Sequence, residues 1–357
     1  MMDSIAADGI SLIFNPRCGI IDELVIDVGG GKQVRPLHRA PWVRSGETLP
    51  AGVAPVESRL AGDFFCAPFG RSSPDLPIHG WSANGDWESA GEERTQAGGV
   101  TAAYRLRQAI EGAVLTKRIT LRPGHPIVYQ SHLFEGGAGH IPIAHHAMVH
   151  VPGGARLGFS GKEAGGTLAA PLETDPRRGR SILAYPQTFE ALSSVRRADG
   201  GFVDASLYPF DRNHEDLVIL PDPPGARIGW SAALAAADGF LFFAVKDARL
   251  LPQTILWMSN GGRDYPPWNS RHHAVLGIEE AATALLPGDG ANAAPTGLDL
   301  AAGKTTDIRY AFGAISAPPG WTRVDDIRLT RDLITLVDSG GDSRTLPFHG
   351  AHFDGLF

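Results

Sequence analysis

Apolar and polar positions alternate in short runs along this chain, and most runs are closed by Gly, Pro, Asn or Asp. Twelve runs predict β-strands: residues 10–15, 20–27, 100–110, 114–121, 127–134, 141–151, 217–220, 226–234, 240–245, 254–258, 274–278 and 307–315. Apolar residues three and four apart over 321–336, and again over 280–286, predict short helices. Gly- and Pro-rich stretches at 152–166 and 287–295, with a polar turn at 175–180, predict surface loops. The chain shows no fixed-period repeat and no low-complexity tract, which argues against propellers and solenoids. The fold class expected is all-β, a large two-sheet antiparallel supersandwich with few short helices. Sandwiches run past about 200 residues as one unit, so the whole chain, 1–357, is expected to form a single domain.

Composition narrows the function classes. Gly (44) and Pro (27) make up about a fifth of the chain, against an average of roughly 12%, and their dispersal fits many turns rather than one linker. The net charge is −7 and the Lys and Arg residues are scattered, so the basic footprint of a nucleic-acid or anionic-membrane binder is missing. No stretch reaches the roughly 18 apolar residues of a membrane span, and residues 1–14 lack a basic stretch followed by a long apolar run. A cytoplasmic location is the expectation. Cys18 and Cys66 are too few for a disulfide framework or a thiolate zinc site and read as two buried thiols, with one bridge between them still open. A neutral, polar small molecule fits this chain best.

Three segments concentrate His, Trp and charged residues. The first, Leu76-Pro-Ile-His-Gly-Trp-Ser-Ala-Asn-Gly-Asp-Trp87, sets His79 before Gly80, with Trp81 and Trp87 close by. Indole faces stack on the apolar side of a pyranose and an imidazole hydrogen-bonds its hydroxyls, though the same residues also fit a loop whose Trp side chains fill the core. The second, Gly139-His-Ile-Pro-Ile-Ala-His-His-Ala-Met-Val-His150, puts His146 and His150 on one face of a strand and His145 on the other. An imidazole titrates in the range a general acid needs near neutrality. Residues four apart on a strand are too distant to share one metal ion, and no His-Glu-x-x-His run occurs, so no metal is expected.

The third segment, from Leu256 to Glu280, runs from one expected strand through a Gly/Pro loop into another. Its loop carries Asn260, Arg263, Trp268, Asn269, Arg271 and His272, a set suited to hydroxyl recognition and stacking. The strand that follows delivers Glu279 and Glu280 to opposite faces, one free to face a site and the other solvent. Two solvated carboxylates closing a strand are the plain alternative.

Taken together, His79-Gly80, His146 before Ala147-Met-Val, and Glu279 in Leu276-Gly-Ile-Glu resemble the aldose 1-epimerase family and its galactose mutarotase-like relatives. Pro68-Phe-Gly ahead of the first segment is similar to the hexose-phosphate mutarotase branch. The resemblance spans roughly residues 10 to 315. It implies a galactose mutarotase-like sandwich, no cofactor, and interconversion of the α and β anomers of an aldohexose or related sugar. It implies Glu279 as general base, His146 as general acid and His79 beside them, with His145 replacing His146 if the strand register is one residue out. The run after His146 departs from the aromatic-rich Tyr-Phe-Asn-Leu of typical galactose mutarotases. Asp216, with Asp211 behind it, is the candidate for the family's sugar-binding aspartate. Trp81 or Trp268 would stack on the ring, and Asn269, Arg263, Arg271 and Arg71 would hold hydroxyls or a phosphate. The partner is therefore a monosaccharide or a sugar phosphate, and the chain is expected to act as a monomer or homodimer. Two rivals remain: a glycoside hydrolase or lyase using Asp216 with Glu279 as its carboxylate pair, and a sugar-binding or regulatory module without catalysis.

Overall fold

The alternating runs assemble into two large sheets whose ladders are all antiparallel among the described residues, which in this computed structural model are 2–286, 296–353 and 355. The loop expected at 287–295 lies outside the described residues. A nine-stranded sheet runs in the order Leu207–Tyr208, Ala155–Phe159, Ile228–Ala235, Phe240–Asp247, Thr305–Ser316, Ile127–Gly136, Ala113–Leu121, Val100–Leu106 and Trp87–Arg94. An eight-stranded sheet runs Thr188–Phe189, Gly165–Thr167, His214–Pro221, Gln253–Asn260, Val275–Ala282, Ile143–His145 and Phe65–Cys66, with Ala147–His150 also paired to Val275–Ala282. A four-stranded sheet, Asp3–Ala7 to Gln33–Val34, and a three-stranded meander, Val324–Leu329 to Ser343–Pro347, flank them.

Side-chain alternation sorts the apolar residues into three cores. Phe242, Tyr310 and Phe312 of the nine-stranded sheet meet Leu256, Ile278 and Val149 of the eight-stranded sheet between the layers. The opposite face of the eight-stranded sheet carries Ile219, Ile255, Trp257 and Met148, covered by Trp42, Phe64 and Trp268 from loops. The meander packs Trp321, Ile327 and Leu336 on Trp230, Phe243 and Val245. Each such buried side chain contributes on the order of 1.5–3 kcal/mol, and the strand Val275–Ala282 is buried along both faces.

Each of the twelve expected strand positions holds strand, although 141–151 is interrupted. Gly139–Ile141 pairs away with Leu298–Leu300, and the site sheet resumes at Ile143–His145 beyond Pro142. The helix expected over 321–336 is instead the hairpin Val324–Leu329 and Leu333–Asp338. A bulge at Asp325 leaves Val324 opposite Asp338 and Ile327 opposite Leu336, so two apolar residues three apart share one face of a strand and imitate a helical period. The helix expected over 280–286 is also absent, because the strand continues through Glu280 to Ala282 before the chain becomes irregular. Cys18 and Cys66 are both buried and unpaired. No helix among the described residues is long and apolar enough to cross a membrane.

Candidate functional site

Two ladders fix the centre of the site. Ile143–His145 and Ala147–His150 pair with Val275–Ala282 in one continuous register, Ala144 opposite Ala281 and Ala147 opposite Ile278. That register sets His146 across from Glu279 and His145 across from Glu280, and alternation sends the two pairs to opposite faces. On the outer face His146 Nε2 and Glu279 Oε1 are 3.1 Å apart, both side chains buried. Gly277, on the same face two residues before Glu279, makes the room: a Cβ there would lie 2.9 Å from Trp257 Cβ and 3.1 Å from Glu279 Oε1.

Loops close the surroundings. His79 N–H donates to the Gly70 carbonyl at 2.8 Å, and Gly70 N–H donates to His79 Nδ1 at 3.3 Å, leaving Nε2 as the protonated nitrogen. His79 holds a positive φ of 67°, a conformation a non-glycine residue adopts only when its surroundings enforce it. Gly80 follows at φ 68°, where a Cβ would meet the Ala67 carbonyl oxygen at 2.2 Å, so only glycine fits. The His146 ring stacks on Phe64 at 4.5 Å and meets His79 and Trp257 edge-on at 5.3 and 5.4 Å.

The result is a cavity of about 290 Å³ lined by His79, His146 and Glu279 together with Arg71, Arg263, Trp257 and Trp268. Burial pushes the Glu279 carboxyl well above its usual 4.5. Burial, with His79 adding to it, pulls His146 well below 6.5, and burial with the Arg263 and Arg71 charges brings His79 down to about 3. Burial therefore opposes charge on both partners, which lie close enough to pass one proton between Oε1 and Nε2. Glu279 Oε2 and His146 Nδ1 are buried with no hydrogen-bond partner in the protein.

Other expected residues sit elsewhere. Leu217 and Glu215 share the outer face of His214–Pro221, so Asp216 points the other way. It accepts from Ile182 N–H at 3.0 Å, Leu183 N–H at 3.1 Å and the Tyr185 hydroxyl at 3.1 Å, and pairs with His214 at 2.9 Å, anchoring a neighbouring segment rather than facing the cavity. Asp211 is tied to Arg197 at 2.9 Å. Arg271 binds the Pro267 carbonyl and Glu47, Asn269 is an exposed turn residue at φ 44°, and Trp81 packs against the inter-sheet core. None of these lines the cavity.

Sequence reasoning passed over Trp257 and Phe64, which wall the histidine, and Glu215, which organises the wall from behind. Glu215 Oε1 is 3.0 Å from Arg263 Nη2 and also accepts from Trp257 Nε1, while Oε2 accepts from Ser259 at 2.8 Å. Arg263 in turn lies over the Trp268 ring at 4.3 Å. The available signal was alternation: Trp257 and Ser259 share one face of their strand and lie opposite Leu217 and Glu215 on the same face of the next.

No protein-family model and no curated sequence matches the chain. Among solved structures it superposes on a galactose mutarotase-related enzyme from Lactobacillus acidophilus, over 89% of this chain and 99% of that one, with a TM-score of 0.56 and 10% identity. A candidate aldose 1-epimerase from Escherichia coli K12 aligns over 88% and 99%, with a TM-score of 0.58 and 12% identity. The fold is galactose mutarotase-like. A second candidate aldose 1-epimerase, from Klebsiella pneumoniae, aligns over 87% and 78% with a TM-score of 0.53 and 13% identity. The mutarotase-like sandwich is the fold that the sequence resemblance implied, and in this chain it brings three dispersed segments to one cavity.

Proposed function

We propose that the protein is an aldose 1-epimerase-like isomerase that opens and recloses a monosaccharide ring at its anomeric carbon. The observation that carries this is the buried His146–Glu279 pair, 3.1 Å apart in a cavity walled by two indoles, with a second polar atom on each partner still unpaired. Once the proton between the partners has passed from Glu279 to His146, the Glu279 carboxylate takes the O1 proton while protonated His146 gives a proton to the ring oxygen. The C1–O5 bonding pair moves to O5 as the C1=O bond forms. This leaves Glu279 protonated and His146 neutral, the state that burial favours. Rotation about C1–C2 and the reverse transfers give the other anomer. His79 Nε2–H donates to a neighbouring oxygen, and holding the sugar across the pair supplies much of the acceleration.

The cavity sits at the small end of ligand sites, which run from roughly 300 to 1,000 Å³, and at about 290 Å³ it suits one sugar ring rather than a chain. The hydrolase alternative paired Asp216 with Glu279; the two lie on opposite faces of the sheet and do not flank one bond. A sugar-binding module without turnover is favoured by one feature, that Asp216 supplies no carboxylate to the cavity. One-dimensional proton NMR exchange between α and β anomers, over free and phosphorylated aldoses, tests the proposal. Protein-dependent exchange supports it; saturable sugar binding without exchange selects the binding module instead.

A further inference from the structure

Resting on the proposed epimerase reading, we infer that His272 is a positioning residue for the sugar-facing wall: through the Ser259 hydroxyl it fixes the Glu215 carboxylate, and Glu215 in turn holds the Arg263 guanidinium and the Trp257 indole that line the cavity. His272 does not line the cavity itself. It closes the Gly- and Pro-rich loop that begins at Gly261, whose N–H donates to the His272 carbonyl at 2.7 Å. Its ring is buried, stacked on Trp257 at 5.4 Å and edge-on to Trp268 at 5.0 Å, so it backs both indoles of the wall.

Proton positions give this chain a direction. Glu215 faces the Arg263 guanidinium at 3.0 Å, so its carboxylate accepts. Ser259 has one hydroxyl proton and donates it to Glu215 Oε2 at 2.8 Å. The 2.8 Å contact between Ser259 Oγ and His272 Nδ1 must then take its proton from the imidazole. Burial, with the His38 and Arg263 charges adding to it, holds His272 well below 6.5, so the ring is neutral and its one N–H sits on Nδ1. Nε2, buried with no hydrogen-bond partner among the described residues, is left as a bare acceptor rather than an unpaired donor. With the other tautomer Ser259 would turn its proton to His272, and Glu215 Oε2 would lose the bond that steadies it beneath Arg263 and Trp257.

Two measurements on the full-length protein test this. Nitrogen–proton NMR correlation of histidine-labelled protein, with the His272 signals assigned by their loss in His272→Phe, should show the Nδ1–H tautomer; an Nε2–H ring overturns the inference. Exchange of α- and β-glucose and of α- and β-galactose, corrected for spontaneous mutarotation, reads the wall. His272→Phe, which keeps an aromatic ring and removes the donor, and Ser259→Ala should each raise KM about three- to tenfold with kcat nearly unchanged. The double variant should be no worse than either single one, because both cut the same chain, and His272→Asn, whose amide N–H can replace Nδ1–H, should recover most of the native KM. A native KM in His272→Phe, or single effects that multiply in the double variant, overturn the positioning role. Absence of exchange by the native protein overturns the epimerase reading alone; the dissociation constants of the two sugars, followed by tryptophan fluorescence on the same variants, then take the place of KM and decide this inference.

Discussion

Two His–Glu pairs stand side by side across the same two strands, and they differ in what covers them. On the outer face, His146 and Glu279 meet under loops that leave a cavity, and each keeps an unpaired polar atom. On the inner face, Glu280 is closed in by the other sheet. It accepts from Ser231 at 2.5 Å and Thr254 at 2.7 Å, and it pairs with Lys246 at 2.6 Å, which also reaches Asp222 at 2.9 Å. His145 stacks on Tyr310 at 4.2 Å, far from any role in the cavity. Equivalent residues one position apart thus line a cavity on one face and tie the two sheets together on the other. The deciding factor is whether the partner groups saturate the carboxylate.

The sharpest way to break this contrast is Glu279→Gln, which should lower turnover by roughly 10²–10⁴-fold while leaving thermal stability equal or higher, because it removes a buried carboxyl that resists ionisation. Lys246→Ala should do the reverse. It takes the only cation from Glu280 among its described partners, while Asp222 keeps Lys162 at 2.5 Å, and should cost about 3–5 kcal/mol in a urea-unfolding measurement, with little change in turnover per folded molecule.

Titration acts on both faces, since burial depresses the outer His146 as well as the inner histidines. Burial holds His132 and His145 on the inner side well below 6.5. Their folded values are depressed, so their contribution to stability is complete above about pH 6.5 and is lost as pH falls toward those values, with a slope of up to about 1.4 kcal/mol per pH unit for each. Glu279 is raised, so its contribution is complete below about pH 4.5 and is lost as pH rises through its folded value. Unfolding midpoints across pH should therefore show His145→Gln flattening the acid limb and Glu279→Gln flattening the alkaline limb. The smallest effect belongs to Glu215→Gln, which loosens Arg263 and Trp257 behind the cavity. It should raise KM by roughly three- to tenfold with kcat nearly unchanged.

Much of the fold was legible because period-two alternation is a local signal, and strands such as Ile20–Asp27 lie where it indicates. The hairpin at Val324–Leu329 was not, because its bulge converts a strand period into an apparent helical one. Of the candidate residues, His79, His146, Glu279, Arg71, Arg263 and Trp268 line one cavity, as the short motifs around the His and Glu residues suggested. Asp216 was misplaced by a single residue of register, since Glu215 and Leu217 take the outer face. The expectation that Glu280 faces solvent failed for another reason: Lys246 and Ser231, its partners, come from the opposite sheet and leave no trace in the local sequence.

The central claim is that Glu279 and Glu280, neighbours on one strand, divide chemistry from scaffolding. Anomer exchange by proton NMR, measured on Glu279→Gln and Glu280→Gln beside the native protein, tests it directly. The account predicts that Glu279→Gln abolishes exchange in a folded protein, whereas Glu280→Gln retains exchange per folded molecule and loses roughly 1–3 kcal/mol of stability. Native-level exchange by Glu279→Gln, or its loss in a fully folded Glu280→Gln, would contradict it.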